Sequence, residues 1–242
     1  MITSLDNKKV KQIVKLKNKK YRDSEGKFVV ETPNLIEEAY HAGLLEEIYV
    51  LDGYNYSIDV DTYYITSTVM NKISNLENSS ILGVCKKNIS KGLYGNKYLL
   101  LDGIQDPGNL GTIIRTCLGF DIDTIVLSND TCDLYNDKVI RATEGAIFKI
   151  NIIRDDLVNI INTLKKDNIV IYGTDVNDGV DVKTVNNCDK FALIMGNEGN
   201  GVKEVIKQLV DKNLYINTNK KLESLNVGVA TGIILYQLSK RS

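Results

Sequence analysis

From Lys97 onward the chain alternates two kinds of apolar pattern. Short continuous runs at Tyr98–Leu101, Thr124–Ser128, Phe148–Ile153, Ile169–Gly173, Phe191–Met195 and Leu214–Ile216 read as strands covered on both faces. Between them lie stretches whose apolar residues recur every three or four positions, predicting helices over Asn109–Gly119, Asp137–Gly145, Asp156–Lys166, Val202–Val210 and Asn226–Lys240. Strand, helix and strand in repetition imply a mostly parallel sheet of the α/β class.

Before Lys97 the elements are shorter. Phe28–Glu31, Glu47–Leu51, Tyr63–Ile65 and Ile81–Cys85 read as strands, Ser67–Ile73 as a helix, and Thr32-Pro33 as the start of a helix that Gly43 ends. Lys86–Lys97 is polar and without periodicity, the expected linker. The division this predicts is a small α/β unit over residues 1–92 and a larger one over 93–242.

Charge changes the picture only locally. Lys and Arg (30) nearly balance Asp and Glu (31), so no global field points to a nucleic acid. Met1–Lys27, however, holds Lys8, Lys9, Lys11, Lys15, Lys17, Lys19, Lys20, Arg22 and Lys27 against Asp6, Asp23 and Glu25. That excess suits either a phosphate-contacting arm or a solvated helix face carried on Val10, Ile13, Val14 and Leu16. Cys85, Cys117, Cys132 and Cys188 form no CxxC pair and His41 stands alone, so no metal site is expected. With no signal-like start and no run of about 18 apolar residues, the expectation is a soluble, cytoplasmic protein without a membrane partner.

Three loops carry candidate chemistry. In FALIMGNEGNGV an apolar strand stops at Gly196, Gly199 and Gly201, with Glu198 as the loop's one charge. Glycines there free the backbone to turn and let a ligand approach, although a plain turn has the same composition. In DGIQDPGNLGTIIRT, Asn109 stands at a cap position and Arg115 projects as a cation one turn beyond Gly111; a structural ion pair is the other reading. In KKLESLNVGVATGIILYQLSK, Ser224 and Asn226 flank a helix start, and Gly228, Ala230 and Gly232 form a small face suited to another helix, as from a second subunit. The glycines of the first loop do not make GxGxxG, which disfavours a dinucleotide site.

Taken together, DPGNLGTIIRT, IMGNEGNGV and ESLNVGVATGIILY resemble, in content and order, the three signature motifs of the SpoU-type (TrmH-like) RNA ribose 2′-O-methyltransferases of the SPOUT superfamily. The amino-terminal third, with FVVETPNLIEEA, resembles that family's small RNA-binding domain, with Thr32 where glycine is usual; KVIRATEGA resembles a further family segment, through Arg141 and Thr143. The resemblance implies S-adenosylmethionine as methyl donor and structured RNA as substrate, ribosomal RNA before transfer RNA. A catalytically inactive RNA-binding relative is the alternative. It also implies a homodimer and a carboxyl-terminal trefoil knot in the sheet. By motif position, Gly196, Gly201, Ile216 and Leu225, with Met195 beside them, would cradle the adenosine. Arg115 would act on the ribose hydroxyl, Asn109 and Asn226 would orient it, Glu198 would hold the loop, and Ser224 would touch the target nucleotide. A guanidinium, with a pKa above about 12, is a poor base, so for Arg115 stabilising a developing alkoxide is chemically easier than removing its proton.

Overall fold

The computed structural model describes residues 1–88, 90, 92–175, 178–186, 188–219 and 221–239. In chain order its elements are α1 (Lys8–Leu16), α2 (Lys19–Glu25), β1 (Lys27–Val30), α3 (Pro33–His41), β2 (Leu45–Leu51), β3 (Asp61–Ile65), α4 (Ser67–Ile73) and β4 (Ile81–Lys86). Then come β5 (Lys97–Asp102), α5 (Pro107–Gly119), β6 (Thr124–Leu127), α6 (Asp137–Ala142), β7 (Asn151–Arg154), α7 (Leu157–Lys166) and β8 (Val170–Thr174). The last are β9 (Val180–Asp181), β10 (Phe191–Gly196), α8 (Glu204–Lys207), β11 (Lys212–Tyr215) and α9 (Val227–Leu238). They form two compact units, Met1–Ile89 with Asp133–Phe148, and Ser90–Cys132 with Lys149–Ser242.

The first unit is built on a sheet of order β1-β4-β2-β3, in which β2 and β3 are parallel and the other pairs antiparallel. Val10, Ile13 and Leu16 of α1 pack with Val69, Met70 and Ile73 of α4 on one of its faces. The amino-terminal basic stretch is two helices with different duties. Asn7 and Asn18 cap them, and Gly26, in the left-handed region at φ 64°, stops the second. Arg22 is buried, donating to the Leu16 and Lys17 carbonyls and to Asp133, and Lys17 Nζ donates to the Ser74 carbonyl. Lys8, Lys11, Lys15, Lys19 and Lys20 are left exposed. The segment Asp133–Phe148 joins this unit through the Arg22–Asp133 pair and through Tyr135 and Phe148, whose rings lie 4.7 and 6.3 Å from that of Phe28. Within it Arg141 is ion-paired to Asp137 at 2.9 Å, and buried Thr143 bonds back to the Ile140 carbonyl.

The second unit is a sheet of order β7-β6-β5-β10-β8-β11-β9, every pair parallel. β10 is buried at every position, as its unbroken apolar run predicts, and pairs in register with β5 from Phe191 opposite Lys97 to Gly196 opposite Asp102. α7 covers one face through Leu157, Ile160, Ile161 and Leu164, while α5 and α9 pack against each other, α9 also touching β10. No helix among the described residues is long and apolar enough to cross a membrane.

Several expected boundaries shift. The helix expected over Val202–Val210 is only Glu204–Lys207: Lys203 is extended, with its N–H bonded to Asp102 Oδ2 at 2.8 Å, and Val205 is 55% exposed. The strand expected from Phe148 begins at Asn151, since Ala146–Phe148 is a 3₁₀ turn whose Phe148 is spent against Phe28. The helix expected to reach Gly145 ends at Ala142, Glu144 taking φ 48°. α5 starts earlier than expected, at Pro107, with Asp106 as its cap in place of Asn109. β9 went unforeseen, being two residues in a polar stretch. Lys240, the expected end of the last helix, lies outside the described residues, as do Ile89 and Lys91 of the linker.

Arg22→Ala removes the partner of Asp133 and the donors to two carbonyls in one step. The expected loss is about 3 kcal/mol of folding stability, read from the urea midpoint, against almost none for Lys8→Ala.

Candidate active site

The carboxyl ends of β5, β10 and β11 and the start of α9 bring the three motif loops to one edge of the sheet. A chain of hydrogen bonds ties them together. The Glu198 carboxylate accepts from the Gln105 N–H, the Asp106 N–H and Asn109 Nδ2, each at 3.1 Å. Asn109 Oδ1 accepts from Asn226 Nδ2 at 2.8 Å. Asn226 Oδ1 in turn caps α9, accepting from the Gly228 and Val229 N–H groups at 2.9 and 3.3 Å. Because Asp106 has taken over the capping of α5, the Asn109 amide is free to bridge Glu198 and Asn226. Burial pushes the Glu198 carboxyl up, but the hydrogen bonds from Asn109 and from main-chain N–H groups outweigh it and hold it below its ordinary value.

Inside the β10–α8 loop, Asn197 is the residue that sequence reasoning passed over. Its N–H and C=O exchange 2.9 Å bonds with Gly201, its Oδ1 accepts from Gly199 and Asn200, and its Nδ2 donates to the Gly103 carbonyl at 2.7 Å. The available signal was its place at the end of an apolar strand, between Gly196 and Gly199, where an Asx turn is favourable. The fold back is so tight that a Cβ on Gly196 would lie 2.2 Å from the Gly201 carbonyl carbon and 2.3 Å from the Val202 nitrogen; Gly201 itself has φ +67°.

The remaining predicted residues are placed differently. Arg115 is exposed and has no hydrogen-bond or ion-pair partner among the described residues, so the ion-pair reading does not hold. Six residues beyond Asn109, it stands about 9 Å further along the helix. Ser224 is likewise exposed and without a partner among the described residues. Met195 is buried at the end of β10, while Ile216, just past β11, and Leu225, just before the α9 cap, are half-buried. The peptide groups of Ile216 and Leu225 have no hydrogen-bond partner among the described residues, whereas Met195 is paired in the ladder opposite Leu101, and the ends of β10 and β11 are two strand spacings, about 10 Å, apart. Unsatisfied peptide groups, a side-chain-free turn at Gly196 and apolar Met195, Ile216 and Leu225 fit an uncharged adenosine moiety. The small face of α9 is already occupied within the chain: Cβ atoms built on Gly228 and Gly232 would meet Thr112 and Thr116 of α5 at 3.3 and 3.7 Å. That face therefore does not await a second subunit. Val229, Ile233 and Tyr236, at 52, 39 and 65% exposure, are the apolar residues of α9 left open.

Residues 96–236 match the SpoU rRNA methylase family model, and residues 7–82 match an MRM3-like substrate binding domain. The chain is 36% identical, over 98% of both proteins, to the 23S rRNA (guanosine(2553)-2′-O)-methyltransferase RlmP of Bacillus subtilis (strain 168). The chain belongs to the SpoU rRNA methylase family. A second relative, the 23S rRNA (guanosine-2′-O-)-methyltransferase RlmB of Coxiella burnetii, is 30% identical over 70% of this chain and 67% of its own length. Among solved structures, the AdoMet-bound rRNA methyltransferase from Sinorhizobium meliloti superposes with a TM-score of 0.87 at 27% identity, covering 98% of this chain and 96% of that one. The three motif loops that meet at this sheet edge all lie within the matched residues 96–236, and the Sinorhizobium meliloti structure holds AdoMet.

The Glu198 network makes a charge prediction. A carboxyl whose folded-state pKa is lowered keeps its contribution at neutral pH and loses it as pH falls through that lowered value. Carboxyl NMR titration of Glu198 should therefore give a midpoint below the model-peptide value of about 4.3. Asn109→Ala should move the midpoint upward, and an unchanged midpoint would remove Asn109 from the network.

Proposed function

We propose that this chain transfers a methyl group from S-adenosylmethionine to a ribose 2′-hydroxyl of ribosomal RNA. The observation that carries this reading is the polar chain Glu198–Asn109–Asn226, which joins all three motif loops beside unsatisfied peptide groups suited to adenosine. S-adenosylmethionine, when bound, supplies the electrophilic methyl group. Gly196, Gly201, Ile216 and Leu225 hold the nucleoside through main-chain groups, with Met195 beneath. Asn109 and Asn226 orient the ribose, Glu198 fixes the Asn109 amide, and Ser224 meets the target nucleotide. Arg115 binds the neighbouring phosphate and stabilises charge growing on the 2′-oxygen, the proton leaving late to phosphate or water. Positioning of the hydroxyl supplies much of the rate, because displacement at a sulfonium methyl needs little else.

Both named relatives act, by their names, on 23S rRNA, which favours ribosomal over transfer RNA and a cytoplasmic site of work. Residues 1–92 bind RNA and residues 93–242 carry the chemistry; the exposed Lys8, Lys11, Lys15, Lys19 and Lys20 suit phosphate contact. The last part of the sheet is knotted. Supporting this, β10 is inserted between β5 and β8, β11 lies beyond β8, and the chain end returns as α9 to pack on α5 and β10. The protein acts as a homodimer joined through Val229, Ile233 and Tyr236.

Arg115→Ala should lower methyl transfer to ribosomal RNA by at least about 100-fold, while S-adenosylmethionine affinity by calorimetry stays within about threefold. Retained transfer would remove Arg115 from the chemistry. Wild-type protein should sediment at twice 27.0 kDa and Ile233→Asp with Tyr236→Asp at 27.0 kDa; an unaltered species would move the dimer surface elsewhere.

A further inference from the structure

A cavity of about 360 Å³ opens beside the Glu198 network, walled by Asp102, Gly103, Gln105, Asp130, Asn200 and Lys203 among others. Its volume falls within the roughly 300–1,000 Å³ of small-ligand sites. Gln105 belongs to both features, since its N–H is one of the three donors to Glu198. A group held in the cavity is thereby a neighbour of the residues assigned to the ribose.

The lining has a specific hydrogen-bonding character. Lys203 Nζ donates to Asp130 Oδ2 at 2.6 Å and lies 3.0 Å from Asp102 Oδ1. The Asp102 side chain is fully buried, its Oδ2 accepts the Lys203 N–H, and its Oδ1, although beside the ammonium, has no aligned hydrogen bond. Asp130 Oδ1 accepts from the Ser128 hydroxyl at 2.6 Å. The hydrogen bond from Lys203, then that from Ser128, hold the Asp130 carboxyl below its ordinary range against the cost of burial, so it is ionised at neutral pH. A carboxylate offers about four lone-pair sites and an ammonium three N–H donors. Asp130 therefore keeps a free acceptor on each oxygen, and Lys203 keeps a free N–H next to them. The rim presents two acceptors and a donor side by side.

We propose that this cavity receives the base of the target nucleotide and selects guanine, Asp130 accepting from N1–H and N2–H while Lys203 donates to O6. The proposal rests on the methyltransferase reading above and deepens it. Sequence-specific RNA recognition targets unstacked nucleotides, and enzymes that extrude a nucleotide read its Watson–Crick edge in an adjoining pocket. Guanine's edge runs donor, donor, acceptor, complementary to the Asp130–Lys203 pair. Adenine and cytosine each offer one donor there, and uracil flanks its single donor with two acceptors, so the two oxygens of Asp130 could not both be matched.

The test uses the full chain and free nucleotides. GMP, IMP, AMP, UMP and CMP are titrated into wild-type protein and into Asp130→Asn, with binding read by NMR and folding by circular dichroism. GMP should bind at least about tenfold more tightly than AMP, UMP or CMP, with IMP, which lacks the N2 amine, in between, and Asp130→Asn should erase the ranking while staying folded. Equal affinity for all nucleotides, no measurable binding of any, or a guanine preference surviving in Asp130→Asn would overturn the proposal. Ribosomal RNA methylation by the wild type is assayed in parallel: its presence without nucleotide discrimination would sink the base pocket alone, and discrimination without methylation would sink the methyltransferase reading alone.

Discussion

The Glu198 carboxylate, accepting N–H groups from the loop after β5 and the amide of Asn109, is the interaction on which the rest of the site depends. It can form because β5 and β10 are adjacent and in register, so that Gly196 and Asp102 end side by side and the two loops leave the sheet at one level. Strand pairing is thereby converted into side-chain position. Asn109, once gripped, aligns Asn226, and Asn226 sets the first turn of α9. In an exposed network each bond adds only about 1 kcal/mol or less net, so its worth is geometric more than energetic.

The same edge explains why glycine and asparagine dominate the second motif. A Cβ at Gly196 would collide with the main chain of Gly201 and Val202, and any rearrangement there would pull Asn197 off the Gly103 carbonyl. The loop is closed by its own main chain on one side and by the β5–α5 loop on the other. A rigid turn of this kind can place peptide groups against a ligand without ordering itself at the moment of binding.

Much of this was legible in the residues, and the failures share a cause. β5, β6 and β10 are continuous apolar runs because they are buried on both faces, a property local to each run, so they were found nearly at their true bounds. What escaped depended on partners distant in the chain. Lys203 is extended at the start of α8 and its N–H is bonded to Asp102, a residue distant in the chain that no periodicity reveals. The basic amino terminus read as uniform charge, yet Arg22 and Lys17 hold up carbonyls of their own unit, and only part of the excess faces solvent. The small face of α9 signalled a helical neighbour correctly but could not say that the neighbour is α5 of the same chain. Asn109 was read as a cap because asparagine caps well; Asp106 does that work, and the freed amide bridges Glu198 and Asn226.

One regularity separates the two kinds of polar group at this edge. Glu198, Asn109, Asn226 and Asn197 have their hydrogen bonds satisfied inside the chain, whereas Arg115, Ser224 and the peptide groups of Ile216 and Leu225 have none to any described residue. Groups that orient others must be occupied before a substrate arrives, or binding would bear the cost of ordering them. Groups that meet the substrate must be open, since a guanidinium already paired to a carboxylate would have little left for a phosphate or a nascent alkoxide. An exposed arginine near a fully satisfied amide chain is the distribution such a division of labour requires. It also explains why Arg115, exposed and without a polar partner among the described residues, is expected to matter more to the reaction than to the fold.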